Sequence, residues 1–187
     1  MPNEAPSKDA PLDRPATDPA HVGARDHAHI DREWVVARRL IDGVTVREVR
    51  NIVTANGITT ELYRPDWGVV PGTVQQVIHV ALRGNAVSAW HQHRNRWDFL
   101  FVVSGHFRIV LFDPRDDSPT RGQVDVFHLS PARPMLLAVP PWVWHGVQNL
   151  STDVSSFVNM FDRPYEYDNP DEWRLPPDTA DVPYRFA

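Results

Sequence analysis

Two histidines spaced two apart, His91 and His93, precede Asp98 in "AWHQHRNRWD" (89–98), and His145 lies far along the chain in "VPPWVWHGVQN" (139–149). In a strand, residues i and i+2 share a face, so His91 and His93 point together and Gln92 points away. Asp98 opens the next apolar run after a tight turn and can fold back near them, although an acid at a strand start can instead cap the turn. Three imidazole nitrogens and one carboxylate suit a divalent transition metal. An imidazole pair also suits proton transfer. A third outcome is a histidine pair that holds no ligand and is satisfied by ordinary hydrogen bonds. Spacing alone leaves all three open.

Other side chains join as cavity candidates. His79 and Gln76, in "TVQQVIHVAL" (73–82), fall on a strand and can line a cavity wall as substrate contacts. Trp142 and Trp144 flank His145 and can border a mouth for an aromatic or sugar ring. Arg94 and Arg96 lie between the two motif strands, where a surface turn is expected. His106 and His128 are expected at solvated strand edges. The polar stretch "DPRDDSPTRG" (113–122) reads as a solvated turn.

The elements that must position these residues are strands. From about residue 35, short runs rich in β-branched and aromatic residues recur between turn signals. They are 44–50, 58–64 after the turn "ANG", 73–82, 87–93, 97–103, 106–112, 123–129, 134–139, 143–149 and 154–161. About ten short strands at this spacing indicate an all-β sandwich or barrel. One short helix is predicted at "DREWVVARRLI" (31–41). Residues 1–30 hold five prolines and few large apolar groups. They read as a mobile N-terminal arm, with His21, His27 and His29 as solvated tail residues. Residues 31–187 then form one domain, whose proline-rich C-terminal segment lies irregularly over the barrel.

Composition removes several function classes. Formal net charge is -5, from 24 acidic and 19 basic residues, with no basic stripe for nucleic acid. There is no cysteine, hence neither disulfide nor thiolate chemistry. No apolar run approaches a membrane span and no signal-peptide core opens the chain, so a cytoplasmic protein is expected.

The stretch "GNAVSAWHQHRNRWDFLFVVSG" (84–105) resembles the first cupin motif, with Gly84, His91, His93, Asp98 and Gly105 at its positions. The first gap is one residue longer than usual, and Asp replaces the typical Glu. "PPWVWHGVQN" (140–149) resembles the second motif, with Pro140, His145 and Asn149 in place and Trp142 where glycine is usual. The resemblance implies a cupin-type double-stranded β-helix (jelly-roll) barrel. It also implies a metal site of His91, His93, Asp98 and His145 for Fe, Mn, Ni, Zn or Cu.

A narrower resemblance covers roughly residues 40–178. "IDGVTVREVRNIVTANGITTELYR", "LFDPRDDSPTRG" and "VPPWVWHGVQNLS" are similar to the dTDP-4-dehydrorhamnose 3,5-epimerase family. Those enzymes are cupin-fold dimers that act without metal on a nucleotide-linked 4-keto-6-deoxy sugar. A histidine base removes the proton beside the ketone and a tyrosine returns one on the opposite face. The match puts the catalytic histidine at His91 and a second active-site histidine at His145. The family's arginine falls on Ser88, its lysine on Asp98 and its glutamine on His93. Its tyrosine falls near Asn159, with Tyr165 further on, so both enter the candidate substrate contacts. An enolate needs positive charge beside its oxygen, and aspartate in place of lysine gives the reverse; a bound metal would restore it.

The expectation is therefore an epimerase-like cupin enzyme, acting as a homodimer on a small keto compound such as a nucleotide-linked sugar. It carries a metal in the barrel, or none if it follows the epimerase family. A metal-dependent oxygenase or lyase-type cupin and a non-catalytic ligand-binding cupin are the alternatives.

Overall fold

The computed structural model describes residues 39–69 and 72–186. These contain β1 (Thr45–Glu48), β2 (Asn51–Thr54), β3 (Gly57–Thr60), β4 (Gln76–Leu82), β5 (Val87–Gln92) and β6 (Asp98–Ser104). β7 (Phe107–Phe112), β8 (Val124–Leu129), β9 (Met135–Val139), β10 (Trp144–Asn149), β11 (Ser155–Phe161) and β12 (Trp173–Arg174) follow. One five-stranded sheet has the order β1-β9-β6-β11-β4 and the other β12-β5-β10-β7-β8, beside a β2–β3 hairpin. The two sheets face each other as a cupin-type jelly roll, the all-β fold expected from the strand pattern.

Alternation explains why the layers close. In β6, Leu100 and Val102 point into the barrel while Phe99 and Phe101 point out, and all four are buried. The inner cluster joins Leu100, Leu137 and Phe157 of one sheet to Phe107, Ile109 and Val147 of the other. Phe107 and Phe157 meet edge to face across the layers, with centroids 5.4 Å apart. Each such side chain contributes about 1.5–3 kcal/mol by leaving water. Asp98 and Asn159 continue the inward rows of β6 and β11 past this apolar zone, so one end of the interior is polar. The C-terminal residues Leu175, Val182, Tyr184 and Phe186 pack over the outer face of the second sheet against Trp90 and Val110.

Two motif glycines have plain reasons. A Cβ on Gly84 would collide with the Thr152 backbone. Gly105, at φ +74, turns the chain between β6 and β7, where a Cβ would also strike the Ser155 side chain.

Some expectations change. The run at 58–64 pairs as Gly57–Thr60 with Asn51–Thr54, a strand that the pattern did not mark. β12 lies inside the C-terminal segment expected to be irregular. Residues 39–41 are not helical; the rest of the predicted helix and the whole N-terminal arm, with its three histidines, lie outside the described residues.

Candidate functional site

β5 and β10 set the two motif histidines face to face, because His91 and His145 are direct partners in the antiparallel register. Their rings stack with centroids 5.9 Å apart. A register shift follows, so that Val147 pairs with Ser88. A flat strand would put Ser88 and His91 on opposite faces; the bulge lets Ser88 Oγ reach His91 Nε2 at 3.0 Å. His93, just past the end of β5, tilts toward the same partner, 5.5 Å from the His145 centroid. The i, i+2 rule therefore holds, and both histidines converge on His145.

Asp98 reaches the site. It is 2% exposed, with Oδ2 3.3 Å from His93 Nε2 and 3.9 Å from His145 Nε2. Its Oδ1 accepts a 2.9 Å hydrogen bond from Asn159 Nδ2. The other ring nitrogens face backbone: His93 Nδ1 lies 2.6 Å from the Asp171 carbonyl and His145 Nδ1 3.4 Å from that of Val143. This orients both Nε2 atoms toward Asp98.

The charge state of the base follows from its surroundings. Partial burial, with the nearby His145 and Arg174 and against the pull of Glu172, pushes His91 down to about 4. Burial also lowers His145, partly opposed by Asp98. His91 is thus neutral near pH 7 and able to accept a proton.

His93, Asp98 and His145 offer ligand atoms within 4.8 Å of one another, a donor set that suits a divalent transition metal in number and type. His91 stands outside this set. Arg96 Nη2, 3.4 Å from His93 Nε2, competes for the same lone pair with a positive charge.

The remaining candidates separate. Gln76 faces inward on the edge strand β4, but its Oε1 is engaged by the Tyr165 backbone N–H at 2.8 Å. His79, one face over and exposed, pairs with Val158 and turns away from the polar end. Trp144 lies with Gln92 on the outer face. Both border a hollow of about 700 Å³ with Trp142, Asp42, Arg115 and Asp117, separate from His91. Tyr165 lies beyond Arg96, whose guanidinium carbon is 5.7 Å from its ring and 4.4 Å from that of Phe161. The turn 113–122 is built round Asp113, fully buried and bonded to Arg115, Ser118 and Thr120.

Arg94 and Arg96 are not a surface turn. Arg96 is 4% exposed, and Arg94 is held over the rings of Trp173 and Trp142, at 3.3 and 4.7 Å. With Arg163, Asn95, Asp171 and Trp173 they line a hollow of about 370 Å³, which Glu166 also borders and which meets the histidines only through Arg96, beside His93. Sequence reasoning missed Asp171, Glu172 and Arg174. The Asp171 carboxylate accepts from the Arg94 and Asn95 backbone N–H groups. Glu172 splits its two oxygens between Arg96, at 3.2 Å, and Arg174, at 2.8 Å. The one local signal was the charged run "DEWR" (171–174) inside a proline-rich segment.

Comparison with known proteins gives a consistent result. The sequence profile described as dTDP-4-dehydrorhamnose 3,5-epimerase matches residues 38–183. The spore coat polysaccharide biosynthesis protein SpsL of Bacillus subtilis is 31% identical over 147 residues, 79% of this chain and 97% of that one. A protein of Haloferax volcanii named "Probable low-salt glycan biosynthesis epimerase" is 28% identical over 139 residues, 74% of this chain and 89% of its own. The crystal structure of a dTDP sugar isomerase from Desulfovibrio desulfuricans G20 superposes with a TM-score of 0.73 at 25% identity, covering 80% of this chain and 95% of that one.

Proposed function

This chain belongs to the dTDP-4-dehydrorhamnose 3,5-epimerase family, and from that premise we propose that it epimerises a nucleotide-linked 4-keto-6-deoxy sugar, as a homodimer, with His91 as the base. The observation that carries the reading is the stacked, neutral His91 opposite His145, with Asp98 behind. His91 takes the proton from the carbon beside the ketone; His145 stacks against its ring on the same side of the site, so the proton that completes the inversion arrives from solvent on the opposite face. Asn159 fixes Asp98 rather than touching the sugar, which fits the loss of a tyrosine near that position. The hollow lined by Arg94, Arg96 and Arg163 offers three cations against the acids Asp171 and Glu166, and so suits the diphosphate of such a substrate better than the other hollow. The acidic hollow on the outer face suits it poorly.

A second reading, favoured by the convergence of His93, Asp98 and His145, is a metal-assisted isomerisation. A divalent ion held there would polarise the substrate carbonyl as a Lewis acid. Arg96 would then have to leave the His93 lone pair.

One preparation tests both. The protein, free of a metal-binding tag, is incubated in D2O with nucleotide-linked 4-keto-6-deoxy sugars, and deuterium at the carbons beside the ketone is followed by NMR. Exchange and inversion are expected in the wild type and lost by about 10²–10⁴-fold in His91→Ala. Exchange that survives in His91→Ala contradicts the assignment of the base. Activity that disappears with chelator and returns with Fe, Mn, Ni or Zn selects the second reading.

A further inference from the structure

Resting on the epimerase reading, we infer that Arg174 is the cationic donor to the enolate oxygen, delivered by β12 in place of the arginine and lysine that Ser88 and Asp98 replace. Removing a proton beside a ketone leaves the C–H electron pair to form the C=C bond while the carbonyl π pair moves onto oxygen. His91 carries the proton away, and no oxidant or further reactant enters. The oxygen then holds a full negative charge, and a preorganised donor there is the largest single aid the protein can give.

Register selects the donor. Arg174 is the direct antiparallel partner of His91, as Trp173 is of Gln92. Opposed residues on neighbouring strands share a face, with Cβ atoms about 4.5–5.5 Å apart. His91 is thus flanked by His145 on β10 and by Arg174 on β12. The other nearby arginines are committed elsewhere. Arg96 is buried against His93 and Phe161, and Arg94 is stacked on Trp173. Arg174 has a free end: its side chain is 62% exposed, and among the described residues its one side-chain partner is Glu172. A guanidinium has five N–H donors, so most remain for a substrate oxygen. Glu172 is the positioning residue, because its second oxygen is tied to the buried Arg96 and so anchors Arg174 to the floor of the site.

The test is steady-state kinetics on the full chain with the sugar nucleotide that the wild type turns over. Because Arg174 is largely exposed, Arg174→Gln, Arg174→Lys and Arg174→Ala are expected to fold, which circular dichroism checks. Expected is a kcat about 100-fold lower in Arg174→Gln, with KM changed far less. Arg174→Lys should recover part of that loss, and added guanidinium chloride should partly rescue Arg174→Ala. A purely structural arginine would show none of these rescues. If the wild type is active and Arg174→Gln matches it, or loses only KM, the inference is overturned while the epimerase reading stands. If the wild type turns over no 4-keto sugar nucleotide, the reading fails and takes the inference with it.

Discussion

At the scale of residues, the site depends on keeping one imidazole uncharged. His91 is half-buried, and its loss of water, with the Arg174 cation nearby, stabilises the neutral ring over the imidazolium. The base works only when deprotonated, so its activity is lost as pH falls through its own pKa. A pH profile of kcat/KM is therefore expected to hold level from neutrality downward and to break at about 4. A break near 6.5, where an ordinary histidine titrates, would mean that another group is the base. Much of this residue set was legible. His91, His93, Asp98 and His145 were marked by spacing and by resemblance, and the strand rule put both members of the pair on one face. Arg174 and Glu172 were not legible, because only long-range pairing of β12 with β5 brings them to His91, and no local pattern encodes that pairing.

At the scale of elements, the turn 113–122 shows how a loop gains rigidity from one acid. Burial alone would raise the Asp113 carboxyl. Hydrogen bonds from Arg115, Ser118 and Thr120 outweigh that and hold it well below the usual carboxylate range. The sign follows: this stabilisation is present above the carboxylate's unfolded value and is lost as pH falls through the lower folded one. Asp113→Ala would leave Arg115 and two hydroxyls without their partner. It is expected to cost about 3 kcal/mol in urea denaturation, whereas Asp117→Ala, exposed in the same turn, should be close to neutral. The sequence read this stretch as solvated because its residue types are those of surface turns; the burial of Asp113 is set by neighbours from elsewhere. The strands fared better, since inward and outward alternation holds in β6, with Leu100 and Val102 inside and Phe99 and Phe101 outside, and breaks in β5 only at its bulge. β2 escaped notice because "NIVT" is short, and its Ile52 and Val53 are exposed rather than alternately buried.

At the scale of the whole molecule, the apolar surface left uncovered supports the homodimer proposed above. Ile52, Val53 and Ile58 on the β2–β3 hairpin are 57%, 73% and 66% exposed, and Val77 on the edge strand β4 is 59% exposed. Large aliphatics on a hairpin and on a strand that pairs on one side only among the described residues invite a second copy. Analytical ultracentrifugation is expected to give twice the chain mass of 21.4 kDa, with Val53→Lys combined with Ile58→Lys shifting the population to monomer. A wild type that sediments as monomer at micromolar concentration would dismiss this.

The pairing of β12 has a consequence for how such a protein can change over evolutionary time. The strand is two residues long, and among the described residues its one strand partner is β5. The loop before it can gain or lose residues without disturbing the hydrogen-bond ladder of the core. A barrel of fixed architecture can therefore exchange the charged groups that greet its substrate by editing a peripheral stretch of chain. The heritable variation that sets reactivity is in this way partly uncoupled from the variation that sets foldability.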